Sequence, residues 1–132
     1  MSAHHDSQDY ARLYYLAKRG ETGELLAFLA NLRGKHIDDE AEGWALVSAA
    51  EANQLATVAA LLDRGVSPNR IGNRSHIQPL WKAAKRGHLE VVKLLVAKGA
   101  DVSFSCDEGM TARDYASRYS HHEVEDYLAS IS

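Results

Sequence analysis

Apolar residues recur along this chain in short segments that have the three- and four-residue spacing of an α-helix. The clearest segment runs from Gln78 to Asp101. Its first apolar face follows Pro79 and stops at Gly87, and a second apolar run stops at Gly99. Proline suits the first position of a helix, and glycine suits the left-handed residue that ends one. The pattern therefore predicts two short helices that fold back on each other.

The same pattern returns with a period of 33 or 34 residues. The helix-breaking position recurs at Gly20, Asn53, Gly87 and Ser120, and an apolar second run follows each of these residues. We expect a flexible segment over residues 1–9, then one domain over 10–132 with repeats at about 10–38, 39–72, 73–105 and 106–132. Helices of about two turns are unstable alone, so the repeats must stabilise one another by stacking.

The period resembles that of the ankyrin repeat family, and so do two motifs between Gln78 and Asp101. The motifs are Gln-Pro-Leu-Trp-Lys-Ala-Ala and Gly-His-Leu-Glu-Val-Val-Lys-Leu-Leu. The resemblance extends roughly from Tyr10 to Leu128, although the other copies depart from the signature. It implies an all-α solenoid of four helix-turn-helix units, joined by projecting hairpin-like loops. It also implies a concave surface, formed by loop tips and the first helix of each pair, that holds protein partners.

Amino-acid composition argues against some binding partners and indicates the cellular compartment. Lys and Arg total 15 against 18 Asp and Glu, a net charge of -3 that argues against a dedicated nucleic-acid binder. The single cysteine, Cys106, leaves no internal disulfide and suits a reducing, cytoplasmic compartment. No run approaches the roughly 18 apolar residues needed to cross a bilayer. We expect a cytoplasmic protein that is monomeric when free and that binds neither nucleic acid nor membrane.

Motifs for catalysis are absent from the sequence, which has no phosphate-binding loop, nucleophile elbow or zinc-protease helix. His4 and His5 lack ligands at metal-binding spacing, and the acidic neighbours of Cys106 should make its thiol less reactive. His121 lies where the family has a histidine that bonds the neighbouring loop, as His88 does. We therefore expect no catalytic, cofactor or metal site.

Basic residues near the ends of the first helices form the candidate partner-binding site. The first helices of the second, third and fourth repeats have a pair of small residues near their ends, such as Ala83-Ala84 in the third repeat. The position after this pair, with its equivalent in the first repeat, is basic in three of the four repeats, although the chain is acidic overall. The candidate cations are Lys18, Arg19, Arg74, Lys82, Lys85, Arg86 and Arg118, and the candidate apolar anchors are Ile77, Trp81, Met110 and Tyr119. The pattern suits an acidic protein partner. Alternatively, the cations only complement helix dipoles and cover apolar surface.

Other interpretations stay open at this point. The acidic run from Asp38 to Glu42 predicts a projecting loop, either a solvated connector or a contact for a basic partner. Tyr14 and Tyr15 could form an aromatic patch, but we expect at least one to pack in the core. Trp81 could be buried against a loop. The function is either a general interaction module or a stand-alone inhibitor of the immunity type, which occludes the active cleft of a toxin enzyme.

Overall fold

The computed structural model describes residues 7–31, 39–69, 78–105 and 109–131. Within these ranges the chain forms eight α-helices and no strand. The helices are α1 (Ser7–Arg19), α2 (Thr22–Asn31), α3 (Asp39–Glu51), α4 (Leu55–Arg64), α5 (Pro79–Arg86), α6 (Leu89–Ala97), α7 (Ala112–Arg118) and α8 (His122–Ile131). The all-α architecture of consecutive helix pairs predicted from the sequence is confirmed.

The helices are arranged in two layers. The first helices α1, α3, α5 and α7 stack side by side in one layer, and α2, α4, α6 and α8 form the other, each packed on its own first helix. Small residues allow the first helices to approach closely, since Ala50 of α3 and Ala84 of α5 are fully buried. Each pair therefore buries its apolar face only against its neighbours, as expected for a repeat protein.

The turn between the two helices of each pair contains a left-handed residue at the position predicted by the repeat. The φ angles are +74° at Gly20, +63° at Asn53, +75° at Gly87 and +63° at Ser120. A left-handed conformation is strained for residues other than glycine, and Asn tolerates it better than most. The recurrence of this geometry shows that the four turns are structurally equivalent.

The last pair ends the stack with polar residues where the other pairs have apolar ones. Leu13, Leu46 and Leu80 occupy equivalent buried positions, but the fourth repeat has the exposed Arg113 there. The buried Ala17, Ala50 and Ala84 correspond in the same way to the exposed Ser117, and the buried Leu25, Val58 and Val92 correspond to the half-buried Glu125. This end face is therefore suited to water, as expected of a capping repeat.

Two helix starts differ from the sequence predictions. Helix α1 begins at Ser7, three residues before Tyr10, where we expected order to begin. Helix α3 begins at Asp39, so residues 39–42 belong to a helix and the prediction of a projecting loop there is wrong. Glu42 lies in this added turn, and its Oε2 accepts a hydrogen bond from Arg64 Nε at 3.0 Å. This bond ties α3 to α4. Asp38 lies outside the described residues.

Candidate functional site

Exposed cations lie at the C-terminal ends of three of the four first helices. We call the face formed by Lys18, Arg19, Lys85, Arg86 and Arg118 the basic face. Four of these side chains are exposed and Lys85 is half-buried. Positive charge is favourable here because the unpaired carbonyls at a helix C-terminus carry partial negative charge.

Exposed tyrosines accompany these cations. Lys18 Nζ lies 5.6 Å from the ring centroid of Tyr14, and the Arg19 guanidinium carbon lies 5.3 Å from that of Tyr15. In the last repeat, Tyr119 has Lys85 Nζ 5.4 Å from its centroid. The three rings are 47%, 53% and 45% exposed, respectively. The basic face therefore combines positive charge with aromatic surface, a combination enriched at protein interfaces.

The second repeat interrupts the basic face with an acidic residue. Glu51 occupies the position equivalent to Lys18 and Lys85, and its Oε2 lies 3.0 Å from Arg86 Nη2 and 3.8 Å from Lys82 Nζ. Lys82 and Arg86 were both predicted to be partner-binding cations, and both pair with this carboxylate. The acidic residue at the equivalent position was visible in the sequence, but its pairing with these two cations depends on how the second and third repeats pack.

A cleft of about 300 Å³ opens beside this acidic residue. It is lined by Tyr14, Lys18, Ser48, Glu51, Ala52 and Arg86. The cleft exists because Ala52 stands at the position where the other repeats have the long side chains of Arg19, Arg86 and Tyr119. The structure thus brings together cations of the first and third repeats around a recess in the second.

Met110 joins the basic face in the fourth repeat. Its half-buried side chain lies beside Arg118, whose Nη1 is 3.6 Å from the methionine Sδ. Tyr119 is exposed next to Arg118, so these two predicted anchors occupy the predicted face. Arg74 and Ile77 lie outside the described residues.

Trp81 is not an accessible anchor. It is 5% exposed, its ring stacks on Phe104 with centroids 5.3 Å apart, and its Nε1 donates a hydrogen bond to the Phe104 carbonyl at 3.2 Å. The stacking and hydrogen bond hold the indole between α5 and the segment before the fourth repeat. A partner cannot reach this ring, and we remove it from the candidate site.

Tyr14 and Tyr15 are both exposed, so the prediction that at least one of them packs in the core is wrong. The equivalent residues of the second repeat, Val47 and Ser48, are 2% and 3% exposed. The aromatic patch that the sequence left open is therefore present.

Side chains at the turns link successive repeats, and for His88 the hydrogen bond is the predicted one. His88 Nε2 donates a hydrogen bond to the backbone carbonyl of Glu51 at 2.9 Å, and Gln54 donates to the carbonyl of Lys18 in the same way. The ring of His121 lies directly over Gly87. These residues are held in structural contacts between repeats.

The described part of the chain has neither a cluster of metal ligands nor a membrane-spanning helix. No three His, Cys, Asp or Glu residues come together there in a way that could hold a metal ion. None of its helices is long and apolar enough to cross a membrane. Cys106, His4 and His5 lie outside the described ranges.

Comparison with known proteins agrees with this geometry. Residues 68–132 match the family described as ankyrin repeats (3 copies). The chain is 37% identical over 96 residues to the E3 ubiquitin-protein ligase XBAT33 of Arabidopsis thaliana, a match that covers 72% of this chain and 19% of that protein. It is 42% identical over 57 residues to human ankyrin repeat domain-containing protein 49, a match that covers 43% of this chain and 24% of that protein.

A third relative is the ankyrin repeat and KH domain-containing protein mask-1 of Caenorhabditis elegans, 36% identical over 95 residues, or 71% of this chain and 4% of that protein. The chain matches less than a quarter of the length of each of these relatives. With the helix pairs described above, the matches show that the chain belongs to the ankyrin repeat family. Ankyrin repeats are protein–protein interaction modules.

Proposed function

We propose that this chain is a non-catalytic interaction module that binds an acidic protein segment through its basic face. The observation that carries the proposal is the pairing of cations with exposed tyrosines at the ends of the first helices of the first, third and fourth repeats. Such a surface provides both long-range attraction and apolar contact area.

Local charge supports an acidic partner. Five cations define the basic face and Lys82 is a sixth beside it, and two carboxylates, Glu21 and Glu51, pair with three of these six cations. Six minus two leaves a local charge of +4, although the whole chain carries -3. A positive patch on an acidic chain attracts acidic partners and repels basic ones, which favours specificity.

The proposal is tested by selecting peptides from a random displayed library against the immobilised chain. We expect the selected peptides to carry net negative charge. They should lose binding to the double variant Lys85→Glu, Arg118→Glu, because it reverses two charges of the basic face.

The matched control is the double variant Lys93→Glu, Lys98→Glu. It makes the same change in net charge, and Lys93 lies over the Tyr127 ring just as Lys85 lies over the Tyr119 ring. However, Lys93 lies in the second helix of the third repeat and Lys98 lies at the end of that helix, so neither belongs to the basic face. Selected peptides that are neutral or basic, or that bind both double variants equally, would overturn the proposal.

A further inference from the structure

One residue per repeat occupies the same position along the stack of first helices. These residues are Lys18, Glu51, Lys85 and Arg118, so their charges run positive, negative, positive, positive. We propose that this pattern sets the register of an extended acidic partner. The partner places carboxylates at the first, third and fourth repeats and an uncharged side chain in the cleft at the second. The inference rests on the proposed function and specifies its partner.

Glu51 is fixed at both its side chain and its backbone. The side chain is 24% exposed and pairs with Arg86 and Lys82, while the backbone carbonyl accepts the hydrogen bond from His88. The carboxylate therefore stays at the cleft, where it repels a partner carboxylate. In the third repeat, Lys82 and Arg86 pair with Glu51, whereas Lys85 does not.

The cleft favours an uncharged side chain. Its wall includes the Tyr14 ring and its recess is made by the short side chain of Ala52. Of the charged residues that line it, Glu51 pairs with Arg86, and Lys18 adds one further positive charge. A second carboxylate would meet Glu51, and a cation would meet Lys18 and Arg86. An apolar side chain meets neither repulsion.

The spacing of the repeats fits an extended segment. Packed helices lie about 8–10 Å apart, so equivalent residues of neighbouring first helices are separated by about that distance. A polyproline II segment rises about 3.1 Å per residue and returns to the same face every third residue, which gives a spacing of about 9 Å. Every third residue of such a segment therefore meets one repeat.

Two synthetic peptides of equal composition test the register. The first is Glu-Pro-Pro-Leu-Pro-Pro-Glu-Pro-Pro-Glu, which matches the pattern, and the second is Leu-Pro-Pro-Glu-Pro-Pro-Glu-Pro-Pro-Glu, which puts a carboxylate against Glu51. Titrations followed by ¹H–¹⁵N spectra should show the first binding at least about two- to fivefold more tightly, the range expected for one exposed charge interaction, because the second peptide also replaces the carboxylate at Lys18 with leucine. The amide of Ala52 should shift on binding.

Two variants assign the effect to the second repeat. The variant Glu51→Gln removes the repelling charge, and Ala52→Arg fills the recess with the residue type present at Arg19 and Arg86. Each should reduce the preference to the part that comes from Lys18, where only the first peptide places a carboxylate. Equal binding of both peptides to the parent chain, with loss of both in the double variant Lys85→Glu, Arg118→Glu, would overturn the register and leave the proposed function intact. No binding of either peptide, or binding unaffected by that double variant, would overturn both.

Discussion

Trp81 and Phe104 stack with their ring planes 5° from parallel, and the indole Nε1 donates to the carbonyl of the same phenylalanine. This contact joins the third repeat to the segment before the fourth. We predict that Trp81→Ala lowers the free energy of unfolding by about 3–5 kcal/mol, as for other buried aromatic truncations. Urea denaturation measures the change.

The exposed Tyr119 provides the control for this prediction. Tyr119→Ala should change the free energy of unfolding by no more than about 0.5 kcal/mol, since surface changes away from structural contacts are small. Equal losses in Trp81→Ala and Tyr119→Ala would show that the tryptophan does not stabilise the stack.

Gly87 is held beneath the ring of His121, and a Cβ added there would overlap that ring. Its φ of +75° is also unfavourable for any residue with a side chain. We predict that Gly87→Ala lowers the melting temperature by several degrees, since a change of about 1 kcal/mol shifts a domain of this size by roughly 2–8 °C.

Two further variants separate the overlap from the backbone strain. Gly65→Ala has a left-handed φ of +107° but no atom near its added Cβ, so it should cost less than Gly87→Ala. Combining Gly87→Ala with His121→Ala should cost less than the sum of the single changes, because the ring is gone. Strict additivity would contradict the proposed overlap.

Asp101 is expected to titrate below its ordinary range. Its carboxylate accepts a hydrogen bond from the Ser103 hydroxyl at 2.8 Å, which is the main cause of a lowered pKa of Asp101. A second hydrogen bond, from the Ser103 backbone N–H at 3.0 Å, lowers this pKa further. A carboxyl with a lowered folded-state pKa stabilises the fold fully above the unfolded pKa of about 3.9. That contribution is lost as the pH falls through the lowered value.

We therefore predict that Ser103→Ala raises the pKa of Asp101 toward its ordinary value and weakens the dependence of stability on pH below about 4. A carboxyl-carbon NMR titration measures the pKa directly. Ser130→Ala is the matched control, because the Ser130 hydroxyl donates to a backbone carbonyl instead of a carboxylate. An unchanged Asp101 pKa in Ser103→Ala would contradict the assignment.

The fold was predictable because repeated local signals agreed with one another. The turn residues Gly20, Asn53, Gly87 and Ser120 could be aligned without a structure, and all four adopt the same left-handed geometry. The start of α3 was not predicted because four of the five residues from Asp38 to Glu42 are acidic, a composition typical of a solvated loop. The long-range pair between Glu42 and Arg64, 22 residues apart, stabilises the helix instead.

The candidate site was only partly predictable, because exposure depends on which repeats lie next to each residue. Tyr14 is exposed while its equivalents Val47 and Trp81 are buried, and Trp81 is covered by Phe104, a residue 23 positions further along the chain. The cations could be placed on one face by the repeat alone. Their pairing with Glu51 required the geometry between the second and third repeats.

The central claim is that the basic face draws in an acidic partner by charge. The most direct test measures association rate constants of a selected acidic peptide at low and physiological ionic strength by stopped-flow fluorescence. Lys85→Glu with Arg118→Glu should slow association at least about tenfold at low salt and reduce its salt dependence, because opposite-charge steering is screened over about 8 Å at physiological ionic strength. Lys93→Glu with Lys98→Glu should change the rate less than about twofold. Equal rates for the two double variants at both salt concentrations would contradict the claim.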